Sequence, residues 1–356
     1  MRLRSFSNLP MLVTLAFLAG TAAAGPAMTS GSHPTEQALV MIQTDAGQGT
    51  GFICELNGTN YIVTNTHVLE NSRTFSFKTL QGQALKPLRL ELAGHQDLAR
   101  VLIAETNLTA LTLAGNDFHL GDAIRVYGNS LGMNAATELS GAILAVGPEL
   151  VEVDAGFVPG NSGSPILTED GRVIGVATFM TKEDPEETTV KGTRFAQPRR
   201  YGLRLTPSVQ WLPLSPSVLY DQSSVLGDIQ TLSKDLLALD TVVDESQEDL
   251  TAKLKMFAAD TRNEQFSKRY RNQEYPRLLG AFAAAFADYL KSKDAGFSEQ
   301  SHAARISRQQ METTLRQLVS LPAKSLRAVR WSTPAFSKRA QDAIAAFDLW
   351  EGRIKQ

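Results

Sequence analysis

The chain has 356 residues, of which 43% are hydrophobic and 20% charged, and a formal charge of −2. That length allows two ordinary domains with real cores, and the composition is that of a soluble globular protein. The near-neutral balance gives no push toward nucleic acid or an anionic membrane. Cys54 is the single cysteine, so no internal disulfide can form and the cores must hold the chain alone.

Residues 1–24 read as a secretory signal peptide. Arg2 and Arg4 make a basic start, Leu9 to Ala19 an apolar run, and Ala22-Ala23-Ala24 a small-residue cleavage site. The apolar run is short for a membrane span, so an uncleaved anchor is the weaker reading. Export to a periplasmic or extracellular location follows, with no membrane contact after cleavage. Residues 25–33 read as a flexible leader.

From residue 34 to 215 the chain is β-rich. Short runs such as "GFICEL", "NYIVTN", "AIRVYGN", "LVEVDAG" and "RVIGVATF" are separated by turn residues. Asn57-Gly58 and Asp170-Gly171 are strong hairpin signals. Many short strands at this spacing predict an antiparallel barrel or sandwich. Thr181–Arg200, charged and proline-containing, reads as a mobile loop.

After Pro216 the pattern lengthens. Leu226, Ile229, Leu232, Leu236 and Leu239 form a stripe at helical spacing. Further helices are predicted around Leu250–Phe257, Leu278–Leu290, Ala303–Leu318 and Ala340–Trp350, with breaks at Asp240–Asp244 and Ser332–Pro334. Residues 216–356 thus read as an all-α domain.

Four pieces of the β-rich half fit one reaction. "GQGTGF" (47–52) leads into "YIVTNTHVL" (61–69), which places His67 just beyond a buried strand. "HQDLARVLI" (95–103) places Asp97 at the start of another apolar run, and "VYGNSLG" (126–132) is a glycine-rich turn after a strand. "FVPGNSGSPI" (157–166) carries Ser162. A serine hydroxyl is a weak nucleophile near neutral pH and needs a base within hydrogen-bond reach, itself fixed by a third group. Histidine suits the first role, and a buried aspartate the second. Such a reaction also needs donors already aimed at the developing oxyanion. The N–H groups of Gly160, Asn161 and Ser162 are expected to form that hole. Gly160 would permit the torsions, and Gly163 would leave room for substrate.

"TNTHV", "DLARV" and "GNSGSP" resemble the histidine, aspartate and nucleophile motifs of the trypsin-like serine peptidases, especially the bacterial HtrA type and the glutamyl endopeptidases. The order His, Asp, Ser is that of the chymotrypsin fold. The resemblance covers roughly residues 38–212 and implies a double antiparallel β-barrel. It also implies an endopeptidase acting on protein or peptide through a His67–Asp97–Ser162 triad, with no metal or organic cofactor. By the same resemblance Gly156 lies at the base of the specificity pocket. Thr178, Phe179 and Met180 form the strand edge that pairs with substrate backbone.

The departures matter too. Digestive trypsins carry aspartate before the nucleophile, to pair with an amine freed by zymogen cleavage. Asn161 cannot supply that charge, so activation should not depend on a clip. Glutamyl endopeptidases use histidine where Ala177 stands. With no charge at Gly156, small or medium apolar side chains are expected before the scissile bond. HtrA-type enzymes usually continue into PDZ domains, whereas this tail is helical. Beyond a plain bundle core, oligomerisation and capture of a partner protein are the readings open to it. The rival reading of the whole chain is a non-catalytic peptide-binding module whose helices are the working part.

Overall fold

The computed structural model describes residues 34–130, 135–180, 199–245, 249–294 and 302–354. The signal peptide and leader read over 1–33, and residues 181–198 of the supposed loop, lie outside the described residues. Two compact units emerge. One runs to Tyr220 and takes in Thr333–Ala335; the other holds Asp221–Ser332 and the chain from Phe336 onward.

The first unit opens with a short helix α1 (Pro34–Ala38), followed by β1 (Leu39–Thr44), β2 (Gln48–Leu56) and β3 (Thr59–Thr64). Asn57 and Gly58 join β2 to β3 with φ of 54° and 76°. A two-residue turn of that hand matches the twist of the strands it joins. A single helical turn, α2 (Thr66–Leu69), leads to β4 (Phe75–Thr79), β5 (Ala84–Leu85), β6 (Pro87–Ala93) and β7 (Ala99–Ile103). Then come β8 (Ala123–Gly128), β9 (Thr137–Val146), β10 (Leu150–Val153), β11 (Pro165–Thr168), β12 (Val173–Met180), β13 (Arg200–Arg204) and β14 (Trp211–Pro213).

The expected pair of antiparallel barrels takes the form of one curled half-barrel sheet and one closed barrel. The sheet has the order β14-β6-β7-β3-β2-β1-β4-β5, and the six-stranded barrel the order β10-β13-β12-β11-β8-β9. Ile124, Val126, Val151, Val153, Phe157 and Ile166 fill the barrel. A second cluster, including Phe52, Val63, Tyr127, Val176 and Leu203, joins sheet to barrel. Loops that leave the strands at this junction are therefore held from both sides. Cys54 belongs to that cluster, and burial pushes its thiol up to about 12, which makes it an inert core side chain.

The second unit is helical: α3 (Pro216–Glu245), α4 (Leu250–Asp260), α5 (Glu264–Ser267), α6 (Glu274–Asp294), α7 (His302–Arg327) and α8 (Pro334–Ile354). All five residues of the predicted stripe are buried. The break expected at Asp240–Asp244 is not there, because α3 runs through to Glu245 and Asp240 is itself buried. Aspartate is a mediocre helix former rather than a breaker. The break at Ser332–Pro334 holds, with α8 starting on Pro334, where a missing N–H costs nothing. No helix among the described residues is long and apolar enough to cross a membrane.

Candidate active site

His67 is the second residue of α2. The run before it, Thr64, Asn65 and Thr66, is polar yet buried. Buried polar groups must find partners, and these do. The Thr64 hydroxyl donates to the Thr50 carbonyl at 2.7 Å, and the Thr66 hydroxyl to the Leu98 carbonyl at 3.0 Å. Asn65 Nδ2 donates to the Asp97 carbonyl and to Thr178 Oγ1, both at 2.9 Å. The end of β3 is thereby pinned to the segment that carries Asp97.

Asp97 then takes His67 at two points. Its Oδ1 accepts the His67 backbone N–H at 2.9 Å, and its Oδ2 faces Nδ1 of the ring at 2.5 Å. An ionised carboxylate only accepts. Nδ1 therefore carries the proton, which leaves Nε2 as the basic nitrogen. The ring and the carboxylate are about a quarter and a third exposed, at 26% and 33%.

Ser162 lies in a turn that the rest of the unit grips closely. The Thr50 N–H donates to the Ser162 carbonyl at 3.0 Å, and the Thr50 hydroxyl to the Gly160 carbonyl at 2.8 Å. The Gly163 N–H donates to the Ala177 carbonyl at 3.0 Å. Ala177 and Thr178 are chain neighbours on β12. One holds the Ser162 turn and the other holds Asn65, two residues before His67. The serine and the histidine are thus tethered to adjacent points of one strand. No hydrogen bond joins the Ser162 hydroxyl to a described residue.

The glycines of this turn have two different reasons. Gly160 has φ of 96°, a region costly for any residue with a Cβ. Gly163, at φ of 86°, is hemmed in. A Cβ there would lie 1.9 Å from the Thr50 carbonyl oxygen and 2.4 Å from Thr64 Oγ1. The space expected to be left for substrate is filled by β2 and β3, so Gly163 lets the turn seat against the sheet.

The expected oxyanion hole also needs correction. The Asn161 N–H donates to the Val158 carbonyl at 3.0 Å, so it is spent inside the turn and cannot serve a substrate oxygen. Among the described residues the N–H groups of Gly160 and Ser162 donate to no carbonyl. The Asn161 side chain works instead as a brace. Its Oδ1 accepts from the Val158 N–H at 3.0 Å and from Ser130 Oγ at 3.2 Å.

Gly156 is exposed, with nothing within 4 Å of where its Cβ would be. Phe179 and Met180 pair with Tyr201 and Arg200 of β13, with a bulge at Thr178. On the other side β12 pairs with β11 only from Val173 to Val176, so 178–180 run past it with that edge unpaired by β11. Phe179 stacks on Tyr201 at 5.0 Å. The Thr178 hydroxyl is turned inward, donating to the Val176 carbonyl at 2.8 Å.

Four residues of this arrangement escaped the motif reading. Thr50 lies inside "GQGTGF", and Thr64 and Asn65 inside "TNTHV"; their signal was polarity in runs that otherwise read as buried strand. Arg200, read as the end of a loop, is the first residue of β13. Its Nε donates to the Phe157 carbonyl at 3.0 Å. Among the described residues no group of three or more His, Cys, Asp or Glu could hold a metal ion.

A model of the family described as "Trypsin-like peptidase domain" matches residues 49–176, a span that contains His67, Asp97 and Ser162. The chain is 37% identical over 148 residues to a probable periplasmic serine endoprotease DegP-like of Chlamydia muridarum, covering 39% of this chain and 29% of that protein. It is 27% identical over 172 residues to the serine protease Do-like HtrA of Bacillus subtilis, covering 44% and 37%. With the periplasmic serine endoprotease DegP of Escherichia coli it shares 28% over 147 residues, covering 38% and 31%. The chain therefore spans little more than a third of the length of these relatives at most. A crystal structure of the serine endoprotease from Yersinia pestis aligns at 23% identity over 48% of this chain and 60% of that one, with a TM-score of 0.38, too distant to argue from.

Proposed function

Given that residues 49–176 are a trypsin-like peptidase domain homologous to the HtrA and DegP-like serine proteases, we propose that this chain is an exported serine endopeptidase. In this reading Ser162 is the nucleophile, His67 the general base and then acid, and Asp97 the orienter. His67 Nε2 takes the Ser162 hydroxyl proton as Oγ attacks the scissile carbonyl carbon. The N–H groups of Gly160 and Ser162 receive the oxyanion. The imidazolium, stabilised by Asp97, gives its proton to the departing amine, which leaves an acyl-enzyme. Water, deprotonated by the same imidazole, then releases the acid and restores the serine.

The observation that carries this reading is the double grip of Asp97 on His67, at 2.9 and 2.5 Å. It fixes the tautomer and the plane of the ring, which is what a base for a serine requires. The Asn161 brace supports an activation that needs no clip. A carboxamide bonded to the Val158 N–H within the turn does locally what a charge pair does in digestive trypsins.

Residues 34–215 are proposed as the peptidase domain and 216–356 as a helical domain serving oligomerisation or a partner protein. Residues 1–24 would be the export signal and 25–33 the leader. Periplasmic or extracellular residence follows from that signal and accords with relatives named periplasmic. Incubating the purified chain with an unfolded protein tests the reading. Fragments should appear with the wild type and not with Ser162→Ala. Equal, undigested binding by both would favour a peptide-binding module instead.

A further inference from the structure

Next to Gly156, which the family resemblance puts at the base of the specificity pocket, the Phe157 carbonyl holds a cationic group, Arg200 of β13. Gly202 faces the barrel core, since a Cβ there would lie 2.2 Å from Ile166 Cδ1 and 3.4 Å from Val151 Cγ1. Residues two apart on a strand share a face. Arg200 therefore projects on the inner side at the end of the barrel, where it pairs in register with Val153 on one side and Met180 on the other.

Its guanidinium is held there by one peptide unit. The carbonyl of Phe157 accepts Arg200 Nε at 3.0 Å, and the N–H of the same Phe157–Val158 peptide donates to Asn161 Oδ1 at 3.0 Å. A planar trans peptide points these two groups in opposite directions. Arg200 is thus separated from the neighbour of the nucleophile by one peptide plane and two hydrogen bonds. Gly156, the residue before Phe157, has nothing within 4 Å of where its Cβ would be. Nearby, the buried carboxylate of Glu152 is gripped by Arg199, through Nε at 2.8 Å and a terminal nitrogen at 2.6 Å.

Resting on the peptidase reading above, we propose that Arg200 makes the specificity pocket acid-selective, so that the chain cleaves after glutamate or aspartate. A guanidinium fork matches a carboxylate in shape and charge and repels lysine or arginine side chains. Burial pushes the Arg200 guanidinium below its ordinary range, which marks a cation partly withdrawn from water. A carboxylate entering beside it replaces some of the lost hydration. This acid selectivity departs from the small or medium apolar side chains expected from Gly156, because Arg200 brings a charge that Gly156 does not.

The test is a library of internally quenched peptides with both termini blocked, so that only a side chain can present the carboxylate. Wild type is expected to favour glutamate or aspartate over leucine or glutamine by about 100-fold in kcat/KM. Arg200→Gln should lower the glutamate-to-glutamine ratio by about 100-fold, and Arg200→Lys should keep its direction. A wild type that cleaves after apolar residues would overturn the inference, even if Arg200→Gln fails to fold. Ser162-dependent labelling by a fluorophosphonate separates the two levels. Labelling with an apolar profile refutes only the acid-selective pocket. No labelling refutes the peptidase reading and takes this inference with it.

Discussion

The two units use buried polar groups differently. In the helical unit, such groups on α3 pin the loops that precede later helices. Asp228 accepts the backbone N–H groups of Arg271 and Asn272 at 2.7 and 2.9 Å, and Asp235 takes Arg269 and Tyr270 at 2.5 Å each. Gln222 donates to the Arg330 carbonyl and the Ser332 hydroxyl, both at 2.8 Å. In the β-rich unit, Thr50, Thr64, Asn65, Thr66 and Asn161 are buried around His67 and Ser162, and some buried polar atoms of this unit stay unmatched. Asn65 Oδ1, Asn161 Nδ2 and Ser164 Oγ are buried with no hydrogen-bond partner among the described residues. A scaffold satisfies its polar groups, whereas a site tolerates an imbalance that function explains. The contrast is between a polar cluster around the candidate site and tethers spaced along α3.

The sharpest way to break that contrast is to delete the site and watch both units. Ser162→Ala and His67→Ala should each lower kcat by roughly 10⁴- to 10⁶-fold, while the thermal melt stays close to wild type. A large loss of stability with either would mean that these residues are structural.

Next in size is Gly163→Ala. Its methyl group collides with the Thr50 carbonyl and Thr64 Oγ1 at a positive φ. Denaturant titration should show a loss of roughly 3 kcal/mol, from overpacking and left-handed strain together. A change of a few tenths would mean that the turn is not seated on the sheet as described.

Asn65→Ala sharpens the comparison, because it removes two buried bonds, to the Asp97 carbonyl and Thr178 Oγ1, while leaving the side chains of His67, Asp97 and Ser162 in place. A loss of about 2 kcal/mol is expected. The displaced histidine segment should lower kcat about 100-fold with a smaller change in KM. A fall in stability with kcat intact would move Asn65 into the scaffold class with Asp228.

The helical unit offers a smaller effect with a definite sign. Burial raises the carboxyl pKa of Asp228, against the lowering by its two backbone donors. The folded state therefore holds the proton more tightly than the unfolded one. Its contribution is fully present below the ordinary carboxylate pKa and is lost as pH rises through the raised value. Melting temperature should fall by a few degrees across that window, and Asp228→Asn should flatten the trend. The smallest effect expected is none: treatment with an activating protease should leave turnover unchanged, since the Asn161 brace needs no new amine.

The β-rich unit was legible because its family motifs and hairpin signals lie in short contiguous strings. "TNTHV", "DLARV" and "GNSGSP" all fall within residues 49–176, the span that the trypsin-like peptidase family matches. What the strings could not convey was long-range. The spending of the Asn161 N–H on Val158, the Thr50 carbonyl under Gly163 and the reach of Arg200 to Phe157 all depend on tertiary packing. Helical periodicity gave the stripe from Leu226 to Leu239 correctly. It misjudged Asp240, because an acidic residue in a strip of sequence does not reveal that the helix continues through it.

The most direct measurement is peptide mapping by mass spectrometry after reaction with a fluorophosphonate. A single adduct on Ser162, formed by wild type and abolished in His67→Ala, is the predicted result. An adduct on another residue, or equal modification of Ser162 without the imidazole, would contradict it.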